Sequence, residues 1–153
     1  MAVELSVRQA LVADKSAVLS ILQEYYDAAS VVVRDATPDV DEYLRGRGGF
    51  WLAQIAEATV GCIAIRPLDN IGAQVCEVKR LYVAPDHRSQ GIADLLYGAL
   101  EAFARSRGFR SIYLDTTDGM QAAIRFYERH GFEYCQRYND NPQATLFMRK
   151  SLA

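Results

Sequence analysis

The stretch from Val75 to Phe103 constrains the fold more than any other, because its hydrophobic period changes once within it. Val75–Val83 reads as a strand. Pro85 ends it, since proline has no amide to give to a ladder. From Gly91 the spacing turns helical. Ile92, Leu95, Leu96, Ala99, Leu100 and Phe103 share one face of a helix predicted to reach about Arg107, with Gly108 as its stop. Ser111–Asp115 then reads as a second strand. Strand, helix and strand in that order require a crossover connection within one sheet.

Hairpins surround this unit. Glu4–Ala10 alternates weakly and is expected to be a first strand. Val18, Ile21, Leu22 and Tyr25 follow at helical spacing, with Asp14 as the expected N-cap. Pro38 to Leu44 suggests a short second helix with acids near its start. Phe50–Ala56 and Gly61–Leu68 are strand-like and joined through Glu57-Ala58-Thr59, which suits an antiparallel pair. Gln121–His130 is a fourth helix, closed by Gly131. Phe132–Arg137 and Thr145–Lys150 are strands around the polar loop Tyr138–Gln143. The expected fold is α/β: a mixed, mostly antiparallel central sheet of about seven strands flanked by about four helices.

With 153 residues, half of them apolar and 24% charged, residues 1–153 suit a single globular domain. The formal charge of −2 argues against a general nucleic-acid binder. No run approaches the ~18 apolar residues of a membrane helix, and no leader pattern opens the chain. Cys62, Cys76 and Cys135 form no CxxC pair, which points to core thiols in a reducing cytoplasm. His87 and His130 lack a third ligand at metal spacing, so no metal is expected.

The chemistry concentrates where the strand meets the helix. Arg88-Ser89-Gln90-Gly91-Ile92-Ala93 aims successive amides, and the positive end of a helix dipole, at one spot. Gly91 allows close approach to the backbone, and Arg88 adds a fixed cation. The functional reading is a site for phosphate or pyrophosphate; the alternative is an ordinary turn glycine beside a solvated arginine, the commoner case for such a motif standing alone. Neither GxxxxGK[ST] nor GxGxxG after the first strand is present, which counts against standard nucleotide sites.

The segment resembles the acyl-CoA-binding motif of the GNAT superfamily of N-acetyltransferases, [Q/R]-x-x-G-x-[G/A], met here by Arg88, Gly91 and Ala93. The preceding Leu81-Tyr82-Val83-Ala84-Pro85 is of the family type. Ser111–Asp115 and Ala122–Phe132 resemble the family's second motif. The resemblance departs at Met120, where many members carry an Asn that contacts the cofactor.

The resemblance implies acetyl-CoA as co-substrate, bound along Leu81, Tyr82 and Val83 and over Arg88 to Ala93. It implies Glu77 as general base, directly or through water. Taken by itself, Glu77 is an acid in an apolar strand, which pairing with Lys79 or Arg80 would also explain. Alternation places it on the side of Leu81 and Val83 unless a bulge intervenes. The resemblance further implies that Tyr127 protonates the departing thiolate, where helical spacing alone reads as core packing. A backbone amide near Leu81 would stabilise the oxyanion. Tyr25, Tyr26, Arg34 and Tyr138 fall where the family lines its acceptor pocket.

The expected partner is a small-molecule or peptide amine, with neither nucleic acid nor membrane. Net acidity leans toward a cationic acceptor. Monomer and homodimer are both open. An acyl-CoA sensor without turnover is the competing class; it would keep Arg88–Ala93 but need neither Glu77 nor Tyr127.

Overall fold

The computed structural model describes residues 4–32 and 34–153. Seven strands form one sheet: β1 Leu5–Gln9, β2 Gly49–Ile55, β3 Ala58–Pro67, β4 Val75–Val83, β5 Ser111–Thr116, β6 Glu133–Tyr134 and β7 Leu146–Ser151. Their order is β1-β2-β3-β4-β5-β7-β6. Among the described residues, only β4 and β5 pair in parallel, and the other pairs are antiparallel. Four helices flank the sheet: α1 Lys15–Ala29, α2 Thr37–Arg45, α3 Ile92–Ser106 and α4 Gln121–Arg129.

Side-chain alternation along the strands divides the core into two layers. Trp51, Ala53, Ile63, Ile65, Cys76, Val78, Ile112 and Leu114 pack with Leu96, Tyr97 and Leu100 of α3 and Phe126 of α4. Phe50, Leu52, Cys62, Ala64 and Tyr82 pack on the other face, with Val18, Ile21, Leu22 and Tyr26 of α1 and Val40 and Tyr43 of α2. Alternation leaves Glu77 and Lys79 on this second, α1/α2 face.

Several local expectations are corrected. Asp14 does not cap α1 through its side chain. Its carboxylate instead accepts from the Leu11 amide and from both terminal nitrogens of Arg8, each at 2.8 Å. On α1 it is Tyr26, not Tyr25, that enters the core with Val18, Ile21 and Leu22. The β2–β3 turn is Ala56-Glu57, with Ala58 already paired to Ile55. The strand expected over Phe132–Arg137 shrinks to Glu133–Tyr134, because Arg137 turns into the following loop and donates to the carbonyls of Asn139, Asn141 and Ala144.

Candidate active site

The parallel pairing of β4 and β5 covers only Val75 with Ser111, Cys76 with Ile112 and Glu77 with Tyr113. Beyond Glu77 the strands part. β5 remains paired to β7 through Thr116, and β4 to β3 through Val83, so the gap opens inside the sheet.

A bulge shapes the free edge of β4. Cys62 faces Tyr82 and Ala64 faces Lys79, which leaves Arg80 and Leu81 opposite Ile63 alone. Arg80 takes φ 62°, a left-handed conformation costly for a side-chain-bearing residue. The extra residue reverses the alternation. Leu81 and Val83 pack on the α3 side with Cys76 and Val78. The expected placement of Glu77 beside Leu81 and Val83 is therefore overturned, and the bulge is the reason.

The bulge also turns main-chain groups toward the gap. Ala84 donates to Val60, so the preceding residue, Val83, points its amide and carbonyl away from β3. Leu81, two residues back along extended chain, points the same way. Arg88 Nε already occupies the Val83 carbonyl at 2.8 Å.

Arg80 is held by several partners. Nε and Nη2 donate to Asp35 Oδ2 and Oδ1 at 3.0 and 3.1 Å, and both side chains are buried. The guanidinium lies over the rings of Tyr25 and Tyr26. The Asp35 amide donates to the Tyr26 hydroxyl at 3.0 Å, and that hydroxyl donates back to the carboxylate. The loop between α1 and α2 is thereby pinned to the bulge. Gln143 ties the same loop to the β6–β7 loop, accepting from the Val32 amide and donating to the Ser30 carbonyl.

Glu77 is 1% exposed. Arg66 Nε donates to Oε1 at 2.8 Å and the Tyr138 hydroxyl to Oε2 at 2.5 Å, with Lys79 Nζ 3.8 Å from Oε1. Of the two partners expected from sequence, Lys79 is near and Arg80 is taken by Asp35. Arg66 and Tyr138 are the direct partners. Arg66 was not singled out; its signal is the cross-strand register, invisible before β3 and β4 are aligned.

A cavity of about 450 Å³ fills the gap. Val78, Leu81 and Tyr127 line it from the α3/α4 side, and Lys79, Arg80 and Asp115 from the α1/α2 side. It thus passes through the plane of the sheet. Tyr127 is buried in this wall, and burial pushes its phenol well above the ordinary tyrosine range. Of the four expected acceptor residues, Tyr25 and Arg34 line the cavity. Tyr26 lies in the core and braces Asp35; Tyr138 reaches Glu77.

Past the end of β4, Pro85–His87 form a single tight turn, and Ser89 and Gly91 take φ 62° and 80° before α3 begins. Among the described residues, no backbone hydrogen bond uses the amides of Ser89, Gln90 or Gly91. A Cβ at Gly91 would meet nothing within 4 Å. Free amides beside open space at the start of a fifteen-residue helix fit a pyrophosphate. Among the described residues there is no metal-binding cluster, and no helix is long and apolar enough to cross a membrane.

Comparison with known proteins defines the class. Residues 16–132 match the acetyltransferase (GNAT) family, and the chain belongs to it. A mouse protein, probable N-acetyltransferase family 8 member 5, is 33% identical over 100 residues, covering 64% of this chain and 44% of its own. The chain spans about half the length of the curated relatives it matches first. A Staphylococcus aureus acetyltransferase of the GNAT family superposes with a TM-score of 0.81 at 24% identity, covering 98% of this chain and all of that one. The PaiA N-acetyltransferase of Thermoplasma acidophilum, solved in complex with coenzyme A, gives 0.71 at 15% identity, covering 97% and 99%.

Proposed function

We propose that this chain transfers an acetyl group from acetyl-CoA to an amine acceptor, directly and within a ternary complex. The observation that carries the reading is the cavity through the sheet between β4 and β5, lined on one side by buried Tyr127 and on the other by Arg66 and Lys79, the cations that stand between it and Glu77.

The free amides of Ser89, Gln90 and Gly91, at the start of α3, hold the pyrophosphate. The outward main-chain groups of Val83 pair with the pantetheine arm, which shares the Val83 carbonyl with Arg88 or displaces it. The Leu81 amide donates to the thioester oxygen as it gains charge, a contribution of about 3 kcal/mol when fully aligned.

Glu77 is the proton acceptor for the acceptor ammonium. Its burial, and the engagement of both oxygens by Arg66 and Tyr138, require a water to carry that proton. Tyr127 then protonates the leaving thiolate. The same burial that raises its pKa keeps the phenol protonated through the neutral range. Cys76 and Cys62 take no part: burial pushes the Cys76 thiol up to about 12 and the Cys62 thiol higher still, so neither supplies a thiolate nucleophile.

The test is release of CoA thiol from acetyl-CoA across a panel of amines, read against protein without acceptor. Acceptor-dependent release supports the reading. Saturable acetyl-CoA binding without release for any amine would make the chain an acyl-CoA sensor.

A further inference from the structure

We infer that the acceptor carries a carboxylate beside the amine to be acetylated, and that Lys79 with Arg66 forms the subsite that holds it. The inference rests on the N-acetyltransferase reading and names the substrate class of that same cavity.

It begins with which charges are already satisfied. Arg80 is spent on Asp35 in a buried two-point ion pair. Glu77 is satisfied by Arg66 Nε and the Tyr138 hydroxyl. Lys79 is left over. Its ammonium stands 3.8 Å from Glu77 Oε1, beyond hydrogen-bond reach, on an oxygen Arg66 has already taken. Among the described residues, no hydrogen bond engages Lys79 Nζ or the terminal nitrogens of Arg66.

Both side chains line the cavity. The Lys79 side chain is only 19% exposed, and burial pulls its pKa down, as for a cation whose lost hydration is not fully replaced. An anion in the cavity would replace it. Arg66 offers a planar fork suited to two carboxylate oxygens. Lys79 also lies two residues before Leu81, so a carboxylate here sits within a small molecule's length of the amide proposed to face the thioester.

The acids of the cavity do not compete for these cations by hydrogen bonding. Asp39 accepts from the Ala36 amide, and Asp115 Oδ2 from Asn139 and Asn141. Asp140 is exposed on its loop. Asp115 adds one negative charge, so the cavity offers both signs to a zwitterion. A net charge of −2 on the chain leans toward a cationic acceptor; the local arrangement outweighs it.

The experiment compares the twenty L-amino acids with their α-amides, as acceptors in the thiol-release assay and as ligands by calorimetry in the presence of CoA. The amide keeps the size and removes the charge. Its amine is also less basic, so more of it is free near neutral pH, which biases the assay against the inference. For the preferred side chain, kcat/KM for the acid should exceed that for the amide by roughly tenfold to a hundredfold. Lys79→Gln should bring that ratio close to one by weakening the acid, and a Lys79→Arg variant should restore part of it. Equal use of acid and amide, or a ratio unmoved by Lys79→Gln, overturns the subsite and leaves the N-acetyltransferase reading standing. Acid-selective binding lost in Lys79→Gln, without turnover of any acceptor, keeps the subsite and removes that reading. Neither turnover nor acid-selective binding overturns both.

Discussion

A carboxylate at 1% exposure persists in a sheet only where donors replace its water, and Glu77 has Arg66 and Tyr138 on its two oxygens. Tyr127 is the opposite case. It is an aromatic ring packed edge-on against Phe126 and Phe132, and among the described residues no hydrogen bond engages its hydroxyl. A core role and a chemical role make different predictions for removal of that one oxygen. Tyr127→Phe should melt close to the wild-type temperature and bind acetyl-CoA unchanged, with kcat and kcat/KM falling together on the order of 10²-fold. Full turnover in the folded variant would return Tyr127 to packing alone.

At the scale of elements, the β4 bulge decides what faces the cavity, and the Asp35–Arg80 pair holds it. Arg80→Met leaves the Asp35 carboxylate buried without its cation, which should cost roughly 3–5 kcal/mol in urea unfolding. Combining it with Asp35→Leu should recover most of that loss, because two apolar groups then share the space. A single variant as stable as the wild type would mean that the pair does not hold the loop. Much of this layer was legible beforehand. The bounds of β4, the start of α3 at Ile92 and the seven-strand, four-helix count follow from period changes and from Pro and Gly. The anomaly of Glu77 was also legible, as an acid in an apolar strand. The bulge was not, because its left-handed position carries Arg rather than a Gly that would mark it. Asp35 lies 45 residues from its partner in a loop with no periodicity, so nothing local announces it. The side on which Leu81 and Val83 lie departs from plain alternation because the bulge does intervene, and a single inserted residue flips everything after it.

For the whole molecule, a carboxyl held below its ordinary range contributes stability that acid removes, and Asp14, paired with Arg8, is such a group. The paired hydrogen bonds from Arg8, helped by the Leu11 amide, hold the Asp14 carboxyl down at about 2. A folded-state pKa below the unfolded value stabilises above the unfolded one. That contribution is present above about pH 4 and is lost as the pH falls from there toward 2. Asp14→Asn should therefore melt lower than wild type at neutral pH, and the gap should close below pH 3 or so; a gap independent of pH would place the effect elsewhere. The larger account is that both substrates meet in one cavity through the sheet and that no covalent acyl-protein forms. Initial rates over a grid of acetyl-CoA and acceptor concentrations test this most directly. The account predicts intersecting double-reciprocal lines, with one CoA thiol released per N-acetylated acceptor. Parallel lines, with labelled acetyl retained on the protein when the acceptor is withheld, would contradict it.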